Sequence, residues 1–236
     1  IPLASALSVP ILGNLTKATI FNDVSETTPN NDAIKTLKTS KIINGYENGT
    51  FKPSNTINRA EFMTIIMNSI SDKVEGSDCF SDVKDEWFAP AICAGKKLGL
   101  IDGYNDGTFK AGQNINLAEA SKIIANANKL KKGSGSTWFE PFIKALENKN
   151  AIPVSIDSLN KKLSLGEVAE MIYRIKENKT DKASKNLNSL NEKIPHIASC
   201  AELQEKIAVN QYRDNYYFDD IGIDMMVPTM AVPESA

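Results

Sequence analysis

Carboxylates are the side chains this sequence supplies most freely for chemistry, with 29 Asp and Glu among 236 residues. Two of them at a suitable separation can act as acid and base, or as acid and nucleophile, in glycoside hydrolysis. Their positions argue against that use. Glu61 stands three residues after Asn58, Glu119 three after Asn116 and Glu167 three after Ser164, the spacing of a helix-capping box. One histidine, His196, and three cysteines leave a His/Cys metal site few ligands, and no Ser/His/Cys constellation for nucleophilic catalysis can be assembled. Asn105-Asp106-Gly107 and Glu47-Asn48-Gly49 resemble parts of a Ca²⁺-binding loop, yet the ladder of alternating ligands closed by a glutamate is missing. Weak incidental Ca²⁺ binding is the residual metal reading. The expectation is a protein without catalytic residues, metal site or cofactor.

The elements that position these residues announce themselves by repetition. Ile43-Asn44-Gly45-Tyr46-Glu47-Asn48-Gly49-Thr50-Phe51-Lys52 returns as Ile101-Asp102-Gly103-Tyr104-Asn105-Asp106-Gly107-Thr108-Phe109-Lys110, 58 positions later. Repetition at a fixed period indicates tandem units. Asn-Gly and Asp-Gly make tight turns, so the stretch is a structured loop, with Tyr46, Phe51, Tyr104 and Phe109 expected to pin it to a core. Ahead of the first loop, Ala33, Ile34 and Leu37 suit a short helix, with Asn30 or Asn31 as its cap. After it, Asn58 and Glu61 open a second helix bearing Phe62, Ile65, Ile66 and Ile70. The second unit begins at Phe80-Ser81-Asp82-Val83, has a helix from about Trp87 through Ala91, Ile92 and Leu98, and reopens at Asn116. Glu61 and Glu119 keep the same 58-residue offset as the loop glycines. A third, shortened unit matches Trp138-Phe139 to Trp87-Phe88 and Ser164-Leu165-Gly166-Glu167 to the second-helix opening, with Ile152-Pro153-Val154-Ser155 in place of the Gly-Tyr loop.

Phe80-Ser81-Asp82-Val83, Trp87, Ala91-Ile92 and Gly99 through Phe109 together resemble the S-layer homology (SLH) module. So do Phe21-Asn22-Asp23-Val24, the Gly45-Tyr46 loop and Asn58-Arg59-Ala60-Glu61-Phe62. The resemblance covers about residues 20 to 178. It implies an all-α fold of three tandem helix-loop-helix repeats in a pseudo-threefold arrangement, followed by a linker and a short C-terminal helix. The corresponding boundaries are 1–19 for a signal-peptide remnant or extended segment, 20–73, 78–131 and 137–178 for the repeats, 179–197 for the linker, and 198–236 for the short helix and tail. Ala4-Ser5-Ala6 after apolar residues resembles the end of a secretory signal. The Met- and Pro-bearing tail after Ser199-Cys200-Ala201-Glu202-Leu203 resembles the approach to a secreted β-propeller, so the chain is expected to be part of something longer.

The same resemblance implies a function: grooves between repeats that bind secondary cell-wall polysaccharide, often pyruvylated, or peptidoglycan-linked glycan. It assigns Asp23 and Asp82 as motif aspartates, Trp87 and Trp138 as aromatic platforms, Arg59 as partner of a ligand carboxylate, and Gly45 and Gly103 as points where backbone approaches the ligand. The planar fork of arginine suits a carboxylate. Leu117 and Leu165 hold the place of Arg59 in the other units, and Thr28 that of Trp87. Alternatives stay open: the aspartates as turn caps, Trp87 as core packing, and the whole as a self-associating surface-layer scaffold without sugar binding. Cys79 and Cys93 bracket the start of the second unit and would staple a loop of about 15 residues, worth about 3 kcal/mol in the chain-entropy account. Two free thiols are the alternative. A disulfide implies an oxidising compartment and leaves Cys200 over. The expected location is secreted, at the cell surface. A net charge of −2 gives no argument for nucleic acid. No apolar run reaches the roughly 20 residues that span a bilayer as a helix.

Overall fold

In the computed structural model, residues 20–191 are described, apart from Asp72. They form seven helices: α1 (Asn31–Thr39), α2 (Arg59–Ile70), α3 (Ala89–Lys97), α4 (Leu117–Ala127), α5 (Glu140–Glu147), α6 (Leu165–Lys176) and α7 (Leu187–Asn191). Pairing among the described residues beyond helices is limited to isolated bridges, so the class is all-α.

The second helix of each unit starts in the same way. Asn58, Asn116 and Ser164 each accept from the backbone N–H three residues on, while Glu61, Glu119 and Glu167 reach back to the cap N–H. Two donors that no helix can satisfy internally are thereby satisfied. The first helix is different. Asn30 sits at the cap of α1 in a left-handed conformation and its side chain caps nothing, while Asn31 turns its amide to the Glu26 carbonyl.

Three backbone segments meet at the centre. Ile57 N–H donates to Leu163 C=O at 3.0 Å, Leu163 N–H to Ile115 C=O at 3.0 Å, and Ile115 N–H to Ile57 C=O at 3.3 Å, a closed ring of three bonds. All three side chains are fully buried. Around this ring α2 packs on α3, α4 on α5 and α6 on α1, so the last repeat closes onto the first. Each second helix also gives its first N–H groups to the next unit's loop: Arg59 and Ala60 to Gln113 and Ala111, Leu117 and Ala118 to Lys161 and Leu159, Leu165 and Gly166 to Asn55 and Pro53. These cross-repeat bonds rotate one unit onto the next, and they build the pseudo-threefold arrangement.

Cys79 and Cys93 form a disulfide with Cα atoms 5.4 Å apart, tying the start of the second repeat to α3. The stretch read as a linker from 179 onward needs correcting. Its first part lies against the third repeat, with Lys185 N–H on Ile152 C=O at 2.9 Å and Asn150 reaching Thr180 C=O at 2.6 Å. Leu187 and Leu190 on α7 are buried, and that apolar pair is what folds the segment down. The readings of residues 1–19 and of 192–236, Cys200 included, lie outside the described residues.

Candidate functional site

The loop that recurs in the sequence is held by its own unit's aspartate. Asp23 Oδ1 and Oδ2 accept the N–H groups of Phe51 and Lys52 at 2.8 and 2.7 Å. Asp82 does the same for Phe109 and Lys110 at 2.7 and 2.8 Å. Both carboxylates are thus committed to backbone, and the geometry gives these residues the turn-clamping role. Phe51 and Phe109 are buried and stack on Phe21 and Phe80 with centroids 5.3 and 5.6 Å apart. Gly45 and Gly103 have φ of +74° and +80°, and a Cβ on either would collide with the Phe21 or Phe80 ring. These glycines are therefore demanded by packing within the protein, whether or not a ligand approaches.

Tyr46 does not pack into the core. It is 37% exposed and forms one wall of a groove of about 420 Å³. Asn44 and Gly45 line the groove from the same loop, Glu61 and Asn68 from α2, Trp87 from the second repeat and Leu165 from the third. Three units therefore contribute to one site. Trp87 is 69% exposed, braced edge-on by Phe88 at 5.4 Å, which rules out core packing. A flat indole left in water beside amide and carboxylate groups matches what a sugar ring needs, an apolar face below and hydrogen bonds at the edge. Tyr46 Oη donates to Glu61 Oε1 at 3.1 Å, and burial together with that carboxylate pushes the phenol up to about 12.

Arg59 lies elsewhere. It is buried against the second repeat's loop, with Nε on Phe109 C=O at 3.0 Å, one terminal nitrogen 3.6 Å from Glu119, and its guanidinium over the Tyr104 and Phe109 rings at 5.1 and 4.6 Å. Threefold equivalence explains this separation: Arg59 serves the Tyr104 loop as Leu165 serves the Tyr46 loop. Trp138 is Trp87's counterpart, braced edge-on by Phe139 at 5.7 Å, and its sheltered indole N–H has no hydrogen-bond partner among the described residues. Trp87 and Arg59, named together from sequence, are not brought together: Trp87 lines the groove and Arg59 is buried away from it.

Tyr46, Glu61 and Leu165 were missed as groove residues. The repeat pattern could have flagged Tyr46, but Leu165 is distant in sequence and apolar. Among the described residues no helix is long and apolar enough to cross a membrane.

The fold defines a closed module of all-α tandem repeats with a groove lined by three units. The S-layer homology domain model matches residues 20–63 and 80–121, and these two segments are what the chain shares with that family. It is similar to the surface-layer 125 kDa protein of Lysinibacillus sphaericus, 36% identical over 42% of this chain. It is also similar to cell surface glycoprotein 1 of Acetivibrio thermocellus, 32% identical over 47%, and to exoglucanase XynX of Acetivibrio thermocellus, 35% identical over 49%. The matched stretch is only 9%, 5% and 11% of those proteins' lengths.

Proposed function

We propose that this chain is a non-catalytic anchoring module that holds its protein at the bacterial cell surface by binding cell-wall glycan in the grooves between repeats. The observation that carries the reading is Trp87, exposed over a groove built by three repeats rather than packed into the core. Solvent exposure of an indole costs apolar burial, and a stacking ligand recovers it. Glu61 supports binding over catalysis because its two oxygens already serve Tyr46 and the Asn58 N–H, holding the loop and the helix start in place. The similarity to surface-layer and cell surface proteins, and to an exoglucanase of which the match is a small part, fits a module joined to varied partners. The disulfide fits an oxidising location outside the cytoplasm.

The test is co-sedimentation of the chain with purified cell-wall sacculi, before and after removal of the non-peptidoglycan polysaccharide. Trp87→Ala and Trp138→Ala variants run alongside. Binding lost with the polysaccharide and weakened roughly two- to tenfold in Trp87→Ala is expected, since one stacking contact is worth about 0.5–1.5 kcal/mol. Binding indifferent to both treatments sinks the groove reading and leaves a self-associating surface scaffold.

A further inference from the structure

The Tyr46 groove and the corresponding surroundings of Tyr104 differ at several charge-bearing positions, with Asn44 for Asp102, Glu47 for Asn105, Thr64 for Lys122 and Leu165 for Arg59. Around Tyr104, Glu119 faces the guanidinium of Arg59. Around Tyr46 the same position is filled by Leu165, whose backbone N–H bonds Asn55 C=O as that of Arg59 bonds Gln113 C=O. The equivalent carboxylate, Glu61, has no ion-pair partner among the described residues and takes the neutral hydroxyl of Tyr46 instead. Lysines do not reverse this contrast: Lys52 and Lys110 lie alike over the Tyr46 and Tyr104 rings at 4.3 and 4.1 Å, and Lys122, 3.4 Å from Asp102, has the neutral Thr64 as its counterpart in the Tyr46 groove. The charged residues lining the Tyr46 groove are therefore two glutamates, Glu47 and Glu61.

We infer that the Tyr46–Trp87 groove takes an uncharged sugar ring and discriminates against one bearing a carboxylate, with Leu165 as the residue that sets the preference. The inference rests on the glycan-binding reading above. A ligand carboxylate entering this groove would be desolvated beside Glu61 without the fork that could pair it. A neutral ring meets the Trp87 face with the Asn44 amide at its edge, and brings no charge against Glu61. The rest of an arginine's cradle is already present, since Tyr46, Glu61 and Phe51 correspond to Tyr104, Glu119 and Phe109. Leu165→Arg should therefore convert the site.

The experiment titrates the full chain with a pyruvyl-ketal disaccharide and with its methyl ester, two probes that share the sugar and differ in charge. The chain has two tryptophans, so ¹⁵N-resolved indole N–H signals, assigned through Trp→Phe variants, let the Trp87 groove be read separately from Trp138. At Trp87 the ester should bind roughly tenfold more tightly than the acid, as expected for one like-charge contact in a partly screened site. Leu165→Arg should erase or reverse that ratio. Glu61→Gln, which keeps the helix cap because glutamine serves the same position, should shrink it. Equal or tighter binding of the acid by wild-type chain at Trp87 overturns the inference and leaves the glycan reading standing. Failure of both probes to move the Trp87 signal in wild type and in both variants removes the glycan reading of this groove, and the inference with it.

Discussion

Tyr46 and Glu61, fifteen positions apart, are joined by a hydrogen bond of 3.1 Å that ties the repeated loop to the helix it precedes. The phenol is pushed up from 10.0 to about 12, by burial first and then by the neighbouring carboxylate. Because its folded pKa lies above the unfolded one, the protonated phenol stabilises the fold fully below about pH 10, and this contribution is lost as pH rises toward 12. Ultraviolet titration of tyrosinate should show a late component that disappears in Tyr46→Phe. An unchanged curve above pH 11 in that variant would refute the assignment.

Replacing Asp82 by Ala removes acceptors for two backbone N–H groups at once. Hydrogen bonds to a charged acceptor contribute about 1.5–3 kcal/mol, so a loss of about 2–4 kcal/mol in urea unfolding is expected, and Asp23→Ala should behave alike. A loss under 0.5 kcal/mol in both would show that the clamps are dispensable.

Glu170 is fully buried on α6 and accepts from Arg174 Nε at 2.7 Å and Lys182 Nζ at 2.9 Å. Arg174 in turn donates to the carbonyls of Asn150 and Ala183, each at 2.9 Å. The triad thus stitches residues 182–183 to the third repeat. Glu170→Ala leaves the buried Arg174 guanidinium without its carboxylate, while Lys182 stays partly in water, and should cost about 3 kcal/mol. Amide exchange should rise first across 180–190; uniform protection in the variant would argue against the stitch.

Reduction of Cys79–Cys93 releases a span of 14 positions. The entropic account expects a loss of about 3 kcal/mol, visible as a lowered unfolding midpoint in dithiothreitol. A midpoint insensitive to reductant, with both thiols titratable, would contradict it.

Much of the fold was legible because its signals are local. The 58-residue offset, the Gly-Tyr loop and the Asn58, Asn116 and Ser164 caps with their glutamates are short-range patterns that the chain obeys wherever it goes. The disulfide pairing was legible too, since the two cysteines are near in sequence. Less legible was the fate of 179–191, where Leu187 and Leu190 sit in a polar background and only the waiting apolar surface of the third repeat gives them a place. The aspartates were visible as recurrent residues, with ligand contact and turn capping both open; the structure has the capping geometry, because the loop curls back so that two N–H groups converge on each carboxylate.

By itself, then, the sequence determined the units: which residues turn, which cap, which face of each helix is apolar. Those properties depend on neighbours within about four positions, and physics there is set by backbone geometry and side-chain type. Only the tertiary structure decided how the units share their sites. The ring through Ile57, Ile115 and Leu163 turns each repeat against the next, and the cross-repeat bonds that follow carry Arg59 to the second loop and Leu165 to the first. Trp87, Tyr46 and Leu165 come from three repeats and meet because closing the ring satisfies helix-start donors that no single repeat can satisfy alone.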